Sequence, residues 1–209
     1  MKIRISNILL AFAVMLSNCN SIQKCQLYHD EVVNEIFTEM EIETLCKITT
    51  YFDSLILNTT HSSNLDSAYH NYCKSLKNSQ SYEEFYNKLL IHEVEKEQIL
   101  GILKEDRIFD NLYTYEYSLS IDLMDTVEVL LVPNKMGKYM TLVNKLASES
   151  ELFMDLKKSF EKVGGPVESF AIILPNGHHV LDFNDEKIRL ILAINILSLD
   201  APEKFSTQQ

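Results

Sequence analysis

The chain has no Trp, four Pro and only five Gly in 209 residues. Neither Gly nor Pro occurs anywhere from residue 26 to residue 100. Those are the two poorest residues for a helix interior, so their absence over such a length predicts helix. The same scarcity excludes Gly-rich phosphate loops: no GxGxxG, no GxxxxGK[ST] and no GxSxG elbow is present. No CxxC pair exists, and the spacing of the four Cys does not suggest zinc. Long blocks of like charge are absent and 46% of residues are hydrophobic, which argues against global disorder and for one domain with a real core.

What is present begins at the N-terminus. Lys2 and Arg4 are followed by nine uninterrupted apolar residues, Ile8 to Leu16, and then by Ser17, Asn18 and Cys19. A bilayer span needs about 20 apolar residues. Nine suit the core of a cleavable export signal. The stretch Leu16-Ser17-Asn18-Cys19 resembles the lipobox of bacterial lipoproteins, with Asn18 in place of the usual Gly, Ala or Ser. The resemblance covers the leader alone. It implies removal of residues 1–18, a diacylglycerol on the Cys19 sulfur, and a membrane held through the lipid, since two or more acyl chains anchor stably. The same resemblance implies that an Asp after the Cys favours retention in the inner membrane, so Asn20 there implies the outer membrane of a Gram-negative cell. Residues 19–27 read as a tether, 28–200 as a single helical domain and 201–209 as a polar tail.

Of the 19 basic residues, Lys2 and Arg4 lie in the leader. The remaining 17 face 30 acidic residues, a net charge of −13 on the mature chain. Such a field repels phosphate backbones, so nucleic acid is a poor partner, and it keeps an exported domain soluble. With Cys19 assigned to lipid, Cys25, Cys46 and Cys73 remain in a disulfide-permissive compartment. A helical hairpin of residues 30–57 and 64–77, turning near residue 60, would set Cys46 and Cys73 level. A Cys46–Cys73 bridge is one expectation and buried free thiols the other. Cys25 falls in the tether.

Along the chain, Val33, Ile36, Phe37 and Met40 lead to Leu45, Ile48, Phe52 and Leu55 with a phase slip after Met40. Leu65, Ala68, Tyr69, Tyr72, Cys73 and Leu76 form an unbroken helical stripe. Ser81 with Glu84, and Ser148 with Glu151, have capping-box spacing. Tyr113, Tyr115 and Tyr117 alternate with polar residues, and Val127, Val129 and Leu131 do so less strictly. A small β-hairpin around 112–132 is the fair reading, with a continuing helix as its competitor. Pro133 to Gly137 is the most plausible internal boundary. Gly164-Gly165-Pro166 stops a helix, Val167 to Leu174 is a short helix or strand, and Pro175-Asn176-Gly177 is a turn. Asn184 is expected to cap a last helix from Ile188 to Leu199, apolar on nearly every side and therefore central. The fold class is mainly α, with α+β as the alternative.

Constellations with chemistry are few. His92-Glu93 has Lys96 where a zinc-peptidase motif needs its second His. Ser159 and Lys162 have SxxK spacing without its partner motifs. Asp182, Asn184 and Glu186 lack the Gly and distal Glu of a calcium loop, and capping explains them better. The tyrosine set suits a sheet face packed on helices more than an exposed platform for sugar or peptide. His178, His179 and Asp182 are the first suspects for a metal-dependent hydrolase, although adjacent His residues on an extended segment point to opposite faces. No cofactor is implied. The expected function is a non-enzymatic protein-interaction module of the cell envelope, with a small envelope enzyme at His178, His179 and Asp182 as the alternative.

Overall fold

The computed structural model describes residues 25–80, 84–85, 88, 93–119, 127–163, 175–198 and 203–205. Outside them lie the segment expected to be a leader with Cys19, the expected Ser81 cap, His92, the expected Gly164-Gly165-Pro166 stop and the stretch Val167 to Leu174.

The fold is mainly α with one small antiparallel sheet. A 3-10 turn, Gln26–His29, leads into α1 (Glu31–Ile36), α2 (Glu39–Thr60) and α3 (Leu65–Lys77). Next come α4 (Glu93–Glu105), the single turn α5 (Phe109–Leu112), β1 (Tyr113–Leu119) and β2 (Val127–Pro133). Then follow α6 (Lys138–Leu146), α7 (Glu151–Val163), a 3-10 turn His178–Val180, α8 (Glu186–Ser198) and β3 (Glu203–Phe205).

The helices start where side-chain oxygens can accept orphaned amides. Asp30 accepts from Val33 N at 2.9 Å and Asn64 from Ser67 N at 2.9 Å. Thr38 and Glu41 make a reciprocal capping box. That box breaks the expected single helix at Phe37 and Thr38, earlier than the phase slip at Met40 suggested. With no Gly available, α2 ends on His61 in the left-handed region, φ 51°. Two expected caps differ. Ser148 donates its hydroxyl to Lys145 O and sits in the turn before α7, which begins at Glu151. Asp185, not Asn184, accepts from an N-terminal amide of α8, that of Lys187, at 2.9 Å.

Helix α8 is the centre, as its all-round apolarity requires. Residues Arg189 to Ser198 are all buried. It packs against α2 and β2, while α2 pairs with α3, and α6 with α7. Among the described residues, the three largest fully buried side chains are tyrosines, and each hydroxyl is satisfied. Tyr69 donates to Asp53 Oδ1 at 2.7 Å and Tyr113 to Ile194 O at 2.8 Å, and Tyr139 accepts from Asn195 Nδ2 at 2.5 Å.

The sheet has the order β1-β2-β3, all antiparallel, with Tyr113 opposite Pro133, Tyr117 opposite Val129 and Val127 opposite Phe205. The expected hairpin is present. The stretch read as a polar tail supplies β3, whose pairing gives β2 a partner on its other edge. On β1, Tyr113 is buried while Tyr115 is 42% exposed, stacked on Phe109 at 5.5 Å. The tyrosine face is therefore packed at Tyr113 and open at Tyr115. The segment Pro133 to Gly137, expected as the most plausible internal boundary, is pinned to α5: Asn134 donates to Leu112 O and Asp110 O, and Gly137 lies against the Asn111 carbonyl too closely for any side chain.

The cysteine expectation is corrected. Cys46 is bridged to Cys25, with Cα atoms 6.0 Å apart, and Cys73 is a buried free thiol. The α2–α3 hairpin does form, but two level cysteines bond only if both side chains meet across the interface. Cys25 and Leu27, at the end of the supposed tether, lie against α2, and Cys25 reaches Cys46 instead. Leu27 drives this: it is fully buried, and Cys25 is 5% exposed. The bridge closes a loop with a sequence separation of 21, for which chain entropy gives about 3 kcal/mol of stabilisation. Cys25→Ser with Cys46→Ser should lower the urea-unfolding free energy by about that amount. Equal midpoints for the variant and the oxidised wild type would show that no such crosslink exists.

Candidate functional site

Two features gather polar groups, and both lie around the segment 178–187. The first is built on one face of α3. Asp66 and His70 are one turn apart, and His70 Nε2 lies 3.4 Å from Asp66 Oδ1. The other ring nitrogen of His70, Nδ1, faces Nδ1 of His178 at 3.0 Å. Asp66 Oδ1 also accepts from Phe183 N at 3.0 Å, tying the 181–185 loop to α3. The Phe183 ring stacks on Tyr69 with centroids 5.1 Å apart and stands edge-on to His70 at 5.0 Å.

Behind this row is a buried ion pair. Arg189 Nε donates to Asp53 Oδ1 at 2.9 Å. Its Nη1 donates to Phe183 O at 2.7 Å and to Asn184 O at 3.1 Å. Burial pushes the Asp53 carboxyl up, with Arg189 and the Tyr69 hydroxyl pulling against it. The loop carrying Phe183 is thus held at its amide by Asp66 and at its carbonyls by Arg189.

A carboxylate beside Nε2 favours the tautomer with its hydrogen there, which leaves Nδ1 to meet His178. Burial holds His178 below the ordinary histidine range, helped by His70, His179, Lys77 and Lys74.

The second feature is a cleft of about 440 Å³ between the first 3-10 turn and the start of α8. Asp30, Asp182, Asp185 and Glu186 line it, with Lys187 among them. Lys187 Nζ lies 2.5 Å from Asp30 and 3.4 Å from Asp185. Burial lowers that ammonium's pKa, but the two carboxylates outweigh it and hold it raised. Glu186, 5% exposed, accepts from Gln26 N at 2.6 Å, and its other oxygen lies 3.3 Å from Cys25 Sγ. Burial raises the Glu186 carboxyl.

The three residues singled out in the sequence do not converge. His178 turns to His70, His179 is exposed, and Asp182 accepts from Asn184 N at 3.0 Å and lines the cleft. Among the described residues, the group of three potential metal donors within reach of one another is Cys25, Cys46 and Glu186. The disulfide removes both thiolates from that set. Asp66, His70 and the Asp53–Arg189 pair escaped the sequence reading. The spacing of Asp66 and His70 on one helix face was the available signal; their meeting with His178, 108 residues on, carried none.

Compared with protein-family models, with curated proteins and with solved structures, the chain matches none. Among the described residues no helix is long and apolar enough to cross a membrane.

Proposed function

We propose that this chain is an exported, lipid-anchored protein of the cell envelope whose folded domain acts by binding another protein. The observation that carries the reading is the Cys25–Cys46 bridge. Disulfides persist in oxidising compartments outside the cytoplasm, and this one follows a lipobox-like segment by six residues. The sulfur left over for lipid in this arrangement is Cys19, because Cys73 is buried.

The spacing supports a defined orientation. Six residues reach at most about 20 Å. An anchor at Cys19 would hold the Cys25 end of the domain close to the bilayer, and with it the acidic cleft beside Gln26 and Asp30. The mature charge of −13 favours a basic protein surface as the partner and disfavours nucleic acid and anionic lipid.

The test is metabolic labelling with an alkynyl palmitate. The wild-type chain is expected to label and to sediment with membranes, whereas Cys19→Ala loses both. Labelling that survives in Cys19→Ala would overturn the anchor. Crosslinking of the anchored wild type, followed by mass spectrometry, should return a specific basic protein absent from the Cys19→Ala sample.

A further inference from the structure

We propose that His70 and His178 form a two-imidazole site for a divalent late transition-metal ion, with copper(II) preferred. The proposal does not depend on the lipid anchor. Its first support is convergence. Two Nδ1 atoms from α3 and the second 3-10 turn face one another at 3.0 Å across parts of the chain 108 residues apart.

The second support is orientation. Metal-binding imidazoles characteristically donate their other ring nitrogen to a carboxylate, which fixes the ring and raises ligand basicity. Asp66 stands at that position for His70, and it is itself anchored by the Phe183 amide. The Phe183 ring, edge-on to His70, limits the rotation of that imidazole.

The third support is reach. At 3.0 Å from each other, the two nitrogens lie within the span of two imidazole–metal bonds of about 2.0–2.1 Å each. Imidazole suits zinc, copper, iron and nickel, and the Irving–Williams order favours copper among them. His70 is 29% exposed, so the remaining positions open to water. The charges facing the pair are Asp66, which favours a cation, and His179, Lys74 and Lys77, which oppose it. Two protein ligands against that opposition give an exchangeable ion, not a structural one.

The experiment uses the full chain purified in detergent and titrated with copper(II) chloride in the presence of excess glycine. Electron paramagnetic resonance of the wild type is expected to show one copper per chain with coupling to two imidazole nitrogens. Asp66→Asn should weaken binding by about 10–100-fold, and His70→Ala and His178→Ala should each remove the two-nitrogen signal. His29→Ala, in the acidic cleft, should leave it intact. A wild-type spectrum without two-nitrogen coupling overturns the site whether or not the variants fold. So does a copper signal that His29→Ala abolishes and His70→Ala spares, because the ion would then sit in the cleft.

Discussion

Asp53→Ala is expected to lower the unfolding free energy by about 3–5 kcal/mol, the usual cost of leaving one half of a buried ion pair without its partner. The Arg189 side chain is 6% exposed and that of Asp53 15%. Truncation strands the guanidinium on α8 and also removes the acceptor of the buried Tyr69 hydroxyl. Three helices meet at this carboxylate, α2 through Asp53, α3 through Tyr69 and α8 through Arg189, so the loss cannot be relieved locally. The double change Asp53→Ala with Arg189→Met should recover part of the stability, because no orphan charge then remains. Urea unfolding of the three variants provides the measurement. A loss below about 1 kcal/mol for Asp53→Ala would mean that water reaches the guanidinium and that the pair is effectively a surface one.

Phe183→Ala should cost a comparable 3–5 kcal/mol, roughly the range for a deeply buried Phe. The side chain is fully buried between Tyr69 and His70. The cost sits at the upper end because the site cannot collapse: its backbone is fixed at the amide by Asp66 and at the carbonyl by Arg189. The same substitution frees the His70 ring, so copper affinity should fall even under conditions where the domain remains folded. Thermal unfolding and the copper titration read the two effects separately. Near-wild-type stability would show that Tyr69 and His70 repack into the vacated volume.

Local signals account for what could be read without coordinates. The stripe on α3 was legible because helix geometry puts positions three and four apart on one face whatever the partner. Ala68, Tyr69, Tyr72, Cys73 and Leu76 are all buried. The last helix declared its central place because it offers no polar face to water. The break at Thr38 was present as a capping box, Thr38 with Glu41, but lay inside a run whose hydrophobic period continues across it. Asn184 and Asp185 are both good caps, and choosing between them depends on where Arg189 draws the loop. The site was half legible. His178 stood out as one of a pair, yet its partner is not His179 beside it but His70.

The amino-acid sequence by itself determined the helical class and the acidity and favoured the hairpin, because each rests on residues within a few turns of one another or on a sum over the chain. Only the tertiary structure decided which cysteine meets which, which imidazole faces which, and that Asp53 is joined to Arg189. Those pairings span separations of 21, 108 and 136 residues, and at such distances no local propensity acts. They follow from the burial of Leu27, Phe183 and α8, which brings remote segments together and leaves their polar groups to find partners where they land.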